Sequence, residues 1–200
     1  DPDEADARPM CCGLTIDEAD QLLGVESGAL DYYGAVVREL FEETGLLLGA
    51  PAPVDSELRE ALHAGNLAWK DLLRKLGLSI PCDQLQYFAH WITPSALPRR
   101  WSTRFFLAAM PAGQPVRPDG NEITDYCWAT TAEALASARS GERKIPFPTL
   151  RTIESLAGKE SVAALMAWAR RQQAAGIPAI QPEIRADDGE RRIFMPEIDD

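Results

Sequence analysis

Residues 38–46 read Arg-Glu-Leu-Phe-Glu-Glu-Thr-Gly-Leu. On an α-helix, residues three and four positions apart share one face, and Glu39, Glu42 and Glu43 have that spacing. The apolar residues of the same stretch are arranged on the opposite side: Val36, Val37, Leu40 and Phe41. The sequence therefore predicts a helix over residues 31–44 that packs one face in a core and gathers three carboxylates on the other.

The three glutamates are suited to a hard divalent cation. Like charges at this spacing repel each other by a few tenths of a kcal/mol per pair on an exposed helix, and a bound cation would remove that cost. Mg²⁺ and Mn²⁺ prefer oxygen ligands of this kind. A solvated acidic helix face is the alternative reading of the spacing alone.

Length and charge limit the classes of function. The chain has 200 residues, 46% of them hydrophobic, which predicts a single domain with a real core. Its net charge of -11 repels phosphate backbones and anionic bilayers, so we expect neither a nucleic acid nor a membrane as partner. Four cysteines lack metal-ligand spacing, which favours reduced thiols and a cytoplasmic location: Cys11, Cys12, Cys82 and Cys127.

Periodicity and turn residues predict the remaining elements. Helices are expected over residues 15–23, 56–64, 67–76, 130–139, 149–157 and 161–173. Strands are expected over residues 85–92, 103–109 and 122–129. Residues 1–16 are expected to form a loop, and residues 176–200 an extended tail.

The stretch from Arg38 to Leu46 matches R-E-U-x-E-E-x-G-U, where U is aliphatic, and so resembles the core of the Nudix box. The resemblance is to the Nudix hydrolases, which cleave a nucleoside diphosphate linked to another group. It implies an α/β fold, an α/β/α sandwich with a mixed sheet and extra helices from insertions. It covers about residues 1–170.

The upstream half of the box departs from the usual pattern, because Leu30 stands where a glutamate is expected. The chain is similar in this respect to the coenzyme A diphosphatase branch, in which an insertion splits the box. That similarity implies a single Nudix domain over residues 1–200, with residues 7–30 as the insertion. It also implies that the first strands of the fold are missing before Asp1, and we expect the exposed sheet edges to favour a homo-oligomer.

The resemblance assigns roles to individual residues. Glu39, Glu42 and Glu43 would hold Mg²⁺ or Mn²⁺ and carry catalysis, with Arg38 orienting a glutamate. A fourth metal ligand is expected before Trp128, and Glu122 is preferred over Asp125. Three arginines near a strand turn could bind the substrate's diphosphate or could be solvated surface residues: Arg99, Arg100 and Arg104.

The implied activity is metal-dependent hydrolysis of a diphosphate in a small nucleotide derivative. Coenzyme A or an acyl-coenzyme A is the expected substrate, giving 3′,5′-ADP and a phosphopantetheine. Two alternatives stay open: a Nudix diphosphatase acting on ADP-ribose or a dinucleotide, and a Nudix-like domain that binds a nucleotide without hydrolysing it.

Overall fold

The computed structural model describes residues 2–187 and 190–196. The chain divides into two compact units. Unit 1 comprises the residues up to Leu85 together with Ala108–Trp128, and unit 2 comprises Gln86–Leu107 together with the residues from Ala129 onward. The expected single domain over residues 1–200, with its insertion and tail, stays a prediction.

Unit 1 is mainly helical. Its helices are α1 (Pro2–Ala7), α2 (Ile16–Leu23), α3 (Ala29–Thr44), α4 (Ser56–His63) and α5 (Trp69–Leu76). Short 3-10 helices cover Arg8–Met10 and Cys82–Gln84. Two short strands, β1 (Cys11–Cys12) and β2 (Ile80–Pro81), pair in parallel.

The core of unit 1 is built around α3, the helix that the glutamate spacing predicts. Tyr33, Val37 and Phe41 are buried on one side of this helix. Trp69 and Leu72 of α5 are fully buried in the same unit. The N-terminal end of α3 is held by Arg8, whose guanidinium donates two hydrogen bonds to the Asp31 carboxylate, at 2.9 and 2.7 Å.

The expectation of a loop over residues 1–16 is wrong, because α1 and β1 lie within it. Pro2 stands at the first position of α1, where its missing N–H costs nothing, and the acidic residues that follow favour a helix N-terminus. Asp6 also pairs with Lys70 of α5. The helix is therefore supported by a contact distant in sequence, which no local pattern reveals.

Unit 2 contains a mixed sheet. Its strands β3 (Gln86–Ile92), β4 (Ser102–Leu107) and β5 (Ala179–Ile180) lie in the order β4-β3-β5. The β3–β4 pair is antiparallel and the β3–β5 pair is parallel. The mixed sheet and the helices agree with the predicted α/β class. Strands β6 (Glu183–Asp187) and β7 (Glu190–Phe194) form a separate antiparallel hairpin within the predicted tail.

Three helices complete unit 2: α6 (Thr131–Arg139), α7 (Phe147–Ser155) and α8 (Val162–Ala175). Side-chain hydrogen bonds tie two of them to β3. The indole N–H of Trp91 donates to the Thr152 hydroxyl of α7 at 2.9 Å. The backbone N–H of Tyr87 donates to the side-chain Oε1 of Gln173 in α8 at 2.8 Å.

The third predicted strand, over residues 122–129, is not formed. The Asp119 carboxylate instead accepts the backbone N–H groups of three following residues and makes a turn, so these groups are not available to a strand ladder. Trp128 and Trp101 are 69% and 62% exposed. Within the described residues, no helix is long and apolar enough to cross a membrane.

Candidate functional site

The C-terminal half of α3 presents the predicted carboxylates. The helix stops at Gly45, whose positive φ of 74° is the left-handed conformation that glycine adopts most readily. Burial of Val37 and Phe41 orients the opposite face outward. Glu39 is therefore exposed, whereas Glu42 and Glu43 are half-buried.

Arg38 is bound to two of these glutamates. Its guanidinium contacts Glu39 Oε1 at 2.6 Å and Glu42 Oε1 at 3.0 Å. Glu42 is the less exposed of the two partners, with 14% of its side chain exposed against 48% for Glu39. Arg38 thus offsets part of the repulsion among the carboxylates, consistent with its expected orienting role.

A loop of the same unit is fastened to the end of α3 by backbone hydrogen bonds. The N–H of Arg117 donates to the Thr44 carbonyl at 2.7 Å, and the N–H of Asp119 donates to the Glu43 carbonyl at 3.1 Å. The Asp119 carboxylate in turn accepts the N–H of Glu122 at 3.0 Å. These bonds bring Glu122 toward the glutamates of the helix.

The electrostatics of Glu43 reflect this gathering of charge. Burial is the largest cause that raises the pKa of its carboxyl group above the usual value. Four neighbouring carboxylates raise the same pKa further, in decreasing order Glu39, Glu122, Asp119 and Glu42. Asp125, the alternative fourth ligand, accepts the N–H of the adjacent Tyr126 instead. Glu122 thus lies among the carboxylates that act on Glu43, and its role as a metal ligand stays a prediction.

The donor atoms fit a hard divalent cation in kind, because the cluster offers carboxylate oxygens around a half-buried glutamate. These oxygen atoms are not already arranged in the coordination geometry of a metal site. Among the residues that the structure describes, no group of three or more His, Cys, Asp or Glu side chains is arranged to hold a metal ion. Metal binding by Glu39, Glu42, Glu43 and Glu122 thus stays a prediction.

Arg59 of α4 is a site residue that the sequence analysis missed. Its Nε and Nη2 atoms donate to the Glu42 carbonyl at 2.9 and 2.7 Å, and Nη1 donates to the Arg117 carbonyl at 2.7 Å. It joins the end of α3 to the loop that carries Glu122. No local pattern marks it, because its partners are backbone atoms distant in sequence.

Gln114 is a second missed residue. It is buried, and its side chain accepts the N–H of Leu47 at 2.9 Å. It also donates to the carbonyl oxygens of Leu47 and Ala50, each at 3.0 Å. The chain following the glutamate helix is therefore fixed by one amide. A lone glutamine among proline and glycine gives no sequence signal for this.

The three predicted substrate arginines belong to unit 2. Arg99 and Arg100 are exposed in the loop between β3 and β4. Arg104 lies on β4 opposite His90. Burial and the charge of Arg104 lower the pKa of His90, which is hydrogen-bonded to the Ser102 hydroxyl at 2.7 Å. Substrate binding by the arginines stays a prediction.

Comparison with known proteins gives relatives for this chain. The human acyl-coenzyme A diphosphatase NUDT19 is 32% identical over 149 residues, which cover 64% of this chain and 40% of that protein. A Caenorhabditis elegans protein named as nudix hydrolase 7 is 28% identical, over 72% of this chain and 48% of that protein. The chain thus spans less than half the length of these curated relatives. No family model matches it.

A solved structure shares the fold. The NUDIX hydrolase from Alicyclobacillus acidocaldarius superposes with a TM-score of 0.67, covering 84% of this chain and 76% of that one at 24% sequence identity. The fold agrees with the motif on α3 and with the sequence relatives. The chain therefore has the α/β fold of a solved Nudix hydrolase, and it is similar in sequence to proteins named as a nudix hydrolase and as an acyl-coenzyme A diphosphatase.

Proposed function

We propose that this chain is a metal-dependent hydrolase that cleaves the diphosphate linkage of coenzyme A or an acyl-coenzyme A. The products would be 3′,5′-ADP and phosphopantetheine or its acylated form. The observation that carries the proposal is the cluster around Glu43, where burial and four neighbouring carboxylates raise the pKa of one glutamate. Outside a cation site, such a concentration of negative charge is costly.

Glu39, Glu42, Glu43 and Glu122 are the residues that would hold a divalent ion, Mg²⁺ or Mn²⁺. When bound, such an ion lowers the pKa of a coordinated water and neutralises phosphate oxygens. Nudix hydrolases generally use divalent ions. The glutamates would supply oxygen ligands, and Glu39, the most exposed of the helix glutamates, would be the one to accept a proton from water.

Arg38 and Arg59 would keep this machinery in place. Arg38 bonds Glu39 and Glu42 and limits their rotamers. Arg59 holds the backbone of Glu42 and of Arg117. Neither arginine needs to touch the substrate for these roles.

Two observations support coenzyme A derivatives as the substrate class. One is the printed activity of the human relative, an acyl-coenzyme A diphosphatase. The other is that Leu30 stands in place of the upstream glutamate of the box, as the resemblance to the split box of that branch implies. In unit 2, Arg99, Arg100 and Arg104 are the proposed binders of substrate phosphates, because guanidinium groups bind phosphate in a bidentate manner. We also propose a cytoplasmic location, because the cysteine content favours reduced thiols. We propose a homo-oligomer, because exposed sheet edges favour association between copies of the chain.

A second candidate is nucleotide binding without hydrolysis. It is favoured by one observation, namely that Arg38 already bonds two of the carboxylates. In this alternative the acidic cluster is stabilised by arginine alone.

A substrate panel separates these candidates. Coenzyme A, ADP-ribose and a dinucleotide are each incubated with the protein, with Mg²⁺ and with a chelator, and products are resolved by chromatography. We expect Mg²⁺-dependent release of 3′,5′-ADP from coenzyme A at the highest kcat/KM. Preferential cleavage of ADP-ribose would make ADP-ribose, in place of coenzyme A, the substrate. Binding of all three compounds without cleavage would support nucleotide binding without hydrolysis.

A further inference from the structure

Three of the four cysteines of this chain lie together in unit 1, where β1 and β2 pair. Cys11 lies opposite Ile80 in the register of the two strands, and Cys82 follows Ile80 by two residues. The Ile80 carbonyl accepts the thiol of Cys12 at 3.4 Å and the thiol of Cys82 at 3.5 Å. The pairing of β1 with β2 thus gathers three thiols, distant in sequence, around one residue.

The three thiols differ in their exposure to solvent. Cys82 is fully buried, Cys11 is half-buried and Cys12 is exposed. The 3-10 helix that begins at Cys82 contacts β1. The Cys11 thiol donates to the Leu30 carbonyl at 3.8 Å, on the side where α3 begins. A small solute can therefore reach Cys11, whereas Cys82 can react only with a group that is already inside the unit.

The thiols also differ in how readily they lose a proton. Hydrogen bonding by the Cys82 side chain is the largest cause that lowers the pKa of Cys11, with burial and the charge of Asp31 acting in the opposite direction. The same hydrogen bonding, together with burial, raises the pKa of Cys82. Burial and the charge of Asp83 raise the pKa of Cys12. Because the thiolate is the nucleophilic form, Cys11 is the most reactive of the three.

We propose that Cys11 and Cys82 are a reversible oxidation site, at which a peroxide converts the two thiols to a disulfide. The Cys11 thiolate attacks one oxygen of hydrogen peroxide, the O–O bond breaks, and hydroxide departs to leave a sulfenic acid. The sulfur of Cys82 then attacks the sulfur of Cys11 and gives up its proton to the departing hydroxide, so the S–S bond forms as the S–O bond breaks. Each sulfur loses one electron, and the peroxide is reduced to two molecules of water.

The position of the thiols in the fold separates this site from the glutamate cluster. Cys11 contacts the start of α3, whereas Glu39, Glu42 and Glu43 lie in its C-terminal half. A disulfide would fasten β1 to the segment after β2 without touching those carboxylates. A redox-sensitive site typically pairs a reactive, accessible thiol with a second thiol that resolves its sulfenic acid. The proposal therefore goes beyond the proposed function and does not depend on it.

Peptide mapping without reduction tests the assignment in the full chain. The protein is treated with hydrogen peroxide, its remaining thiols are blocked with iodoacetamide, and the digest is analysed by mass spectrometry before and after a dithiol reductant. We expect one cross-linked pair of peptides, joining Cys11 to Cys82, that appears only with peroxide and is lost on reduction. A linkage of Cys12 to either of these cysteines, or between two copies of the chain in its place, would overturn the proposal. So would the absence of any disulfide.

Variants assign the two roles, with exposed cysteines as matched controls. We expect Cys11→Ser to lose the cross-link, and Cys82→Ser to lose it while a sulfenic acid at Cys11 becomes trappable by dimedone. Cys12→Ser and Cys127→Ser should keep the wild-type yield of the cross-link. Circular dichroism checks the fold of each variant, and Cys82→Ala replaces Cys82→Ser if a buried hydroxyl prevents folding. Dimedone labelling of Cys127 equal to that of Cys11 in the Cys82 variant, or loss of the cross-link in Cys12→Ser, would contradict the assignment.

Discussion

The backbone N–H of Asp119 donates a hydrogen bond to the carbonyl oxygen of Glu43, at 3.1 Å. A loop and a helix more than seventy residues apart in sequence are thereby joined at the glutamate whose pKa is raised. The Asp119 side chain then fixes the course of the loop by accepting three backbone N–H groups. Asp119 is thus a positioning residue for Glu122.

Replacing Asp119 by alanine removes the acceptor for those three N–H groups. We expect Asp119→Ala to lower kcat about tenfold by releasing Glu122, with a small loss of stability. Asp119→Asn keeps one carbonyl oxygen and should restore part of the rate. Steady-state kinetics measure both effects. Thr15→Ala is the control, because the Thr15 hydroxyl also accepts a backbone N–H in unit 1 but lies at the start of α2. An equal loss of rate in that variant would contradict the positioning role of Asp119.

Glu43 is expected to be essential for the reaction. Glu43→Gln keeps the shape of the side chain but removes the charge that would bind a metal, and we expect kcat with Mg²⁺ to fall by at least about 10²-fold. Circular dichroism should show an unchanged fold. Glu26→Gln, at an exposed glutamate outside the cluster, should keep the wild-type rate. A near-wild-type rate for Glu43→Gln would exclude Glu43 from catalysis.

The raised pKa of Glu43 has a consequence for stability. The folded state holds the proton of the Glu43 carboxyl group more tightly than the unfolded chain does, because the pKa of this group is 4.5 in the unfolded chain and higher in the folded state. The charged carboxylate therefore destabilises the fold at neutral pH, and this cost fades as the pH falls through the folded pKa toward the unfolded one. In a chelator we expect Glu43→Gln to melt above the wild type at neutral pH, with the difference in Tm shrinking on acidification. A Tm difference that grows as the pH falls would contradict the assignment.

Gly45 is expected to matter for both stability and activity. Alanine there would hold a φ of 74° and place its Cβ 3.4 Å from Arg59 Nη1. We expect Gly45→Ala to lose about 1–2 kcal/mol of unfolding free energy and to reduce kcat by displacing Arg59. Gly77 ends α5 with a φ of 65° and no atom near its Cβ position. Gly77→Ala should therefore lower the unfolding free energy through backbone strain alone and leave kcat unchanged. Equal losses of kcat in the two variants would rule out the contact with Arg59 as the cause of the loss.

Local patterns predicted the elements whose determinants are local. Periodicity located α3 to within two residues at its start, and aromatic and β-favouring residues located β3 and β4. The helix expected over residues 130–139 is α6, and Thr130 and Glu133 form a capping box at its start. The carboxylate cluster on α3 could be predicted because i, i+3 and i+4 positions share a helix face.

The remaining features depend on contacts between distant residues. The prediction of a strand over residues 122–129 was wrong. The Asp119 carboxylate accepts the backbone N–H groups of Glu122 and Ile123, which a strand would need for its own hydrogen bonds. Arg59 binds carbonyl oxygens, which every residue possesses, so its sequence neighbourhood carries no signal. The pairing of Arg38 with two glutamates depends on rotamers, which spacing does not determine.

Chromatographic measurement of 3′,5′-ADP released from coenzyme A tests the central claim most directly. The protein and its Glu43→Gln variant are each assayed with Mg²⁺ and with a chelator. We predict stoichiometric release of 3′,5′-ADP and phosphopantetheine by the wild type with Mg²⁺, and at least about 10²-fold less in the other three reactions. Release that is equal with and without the metal, or equal in the two proteins, would contradict a metal-dependent hydrolase built on this cluster.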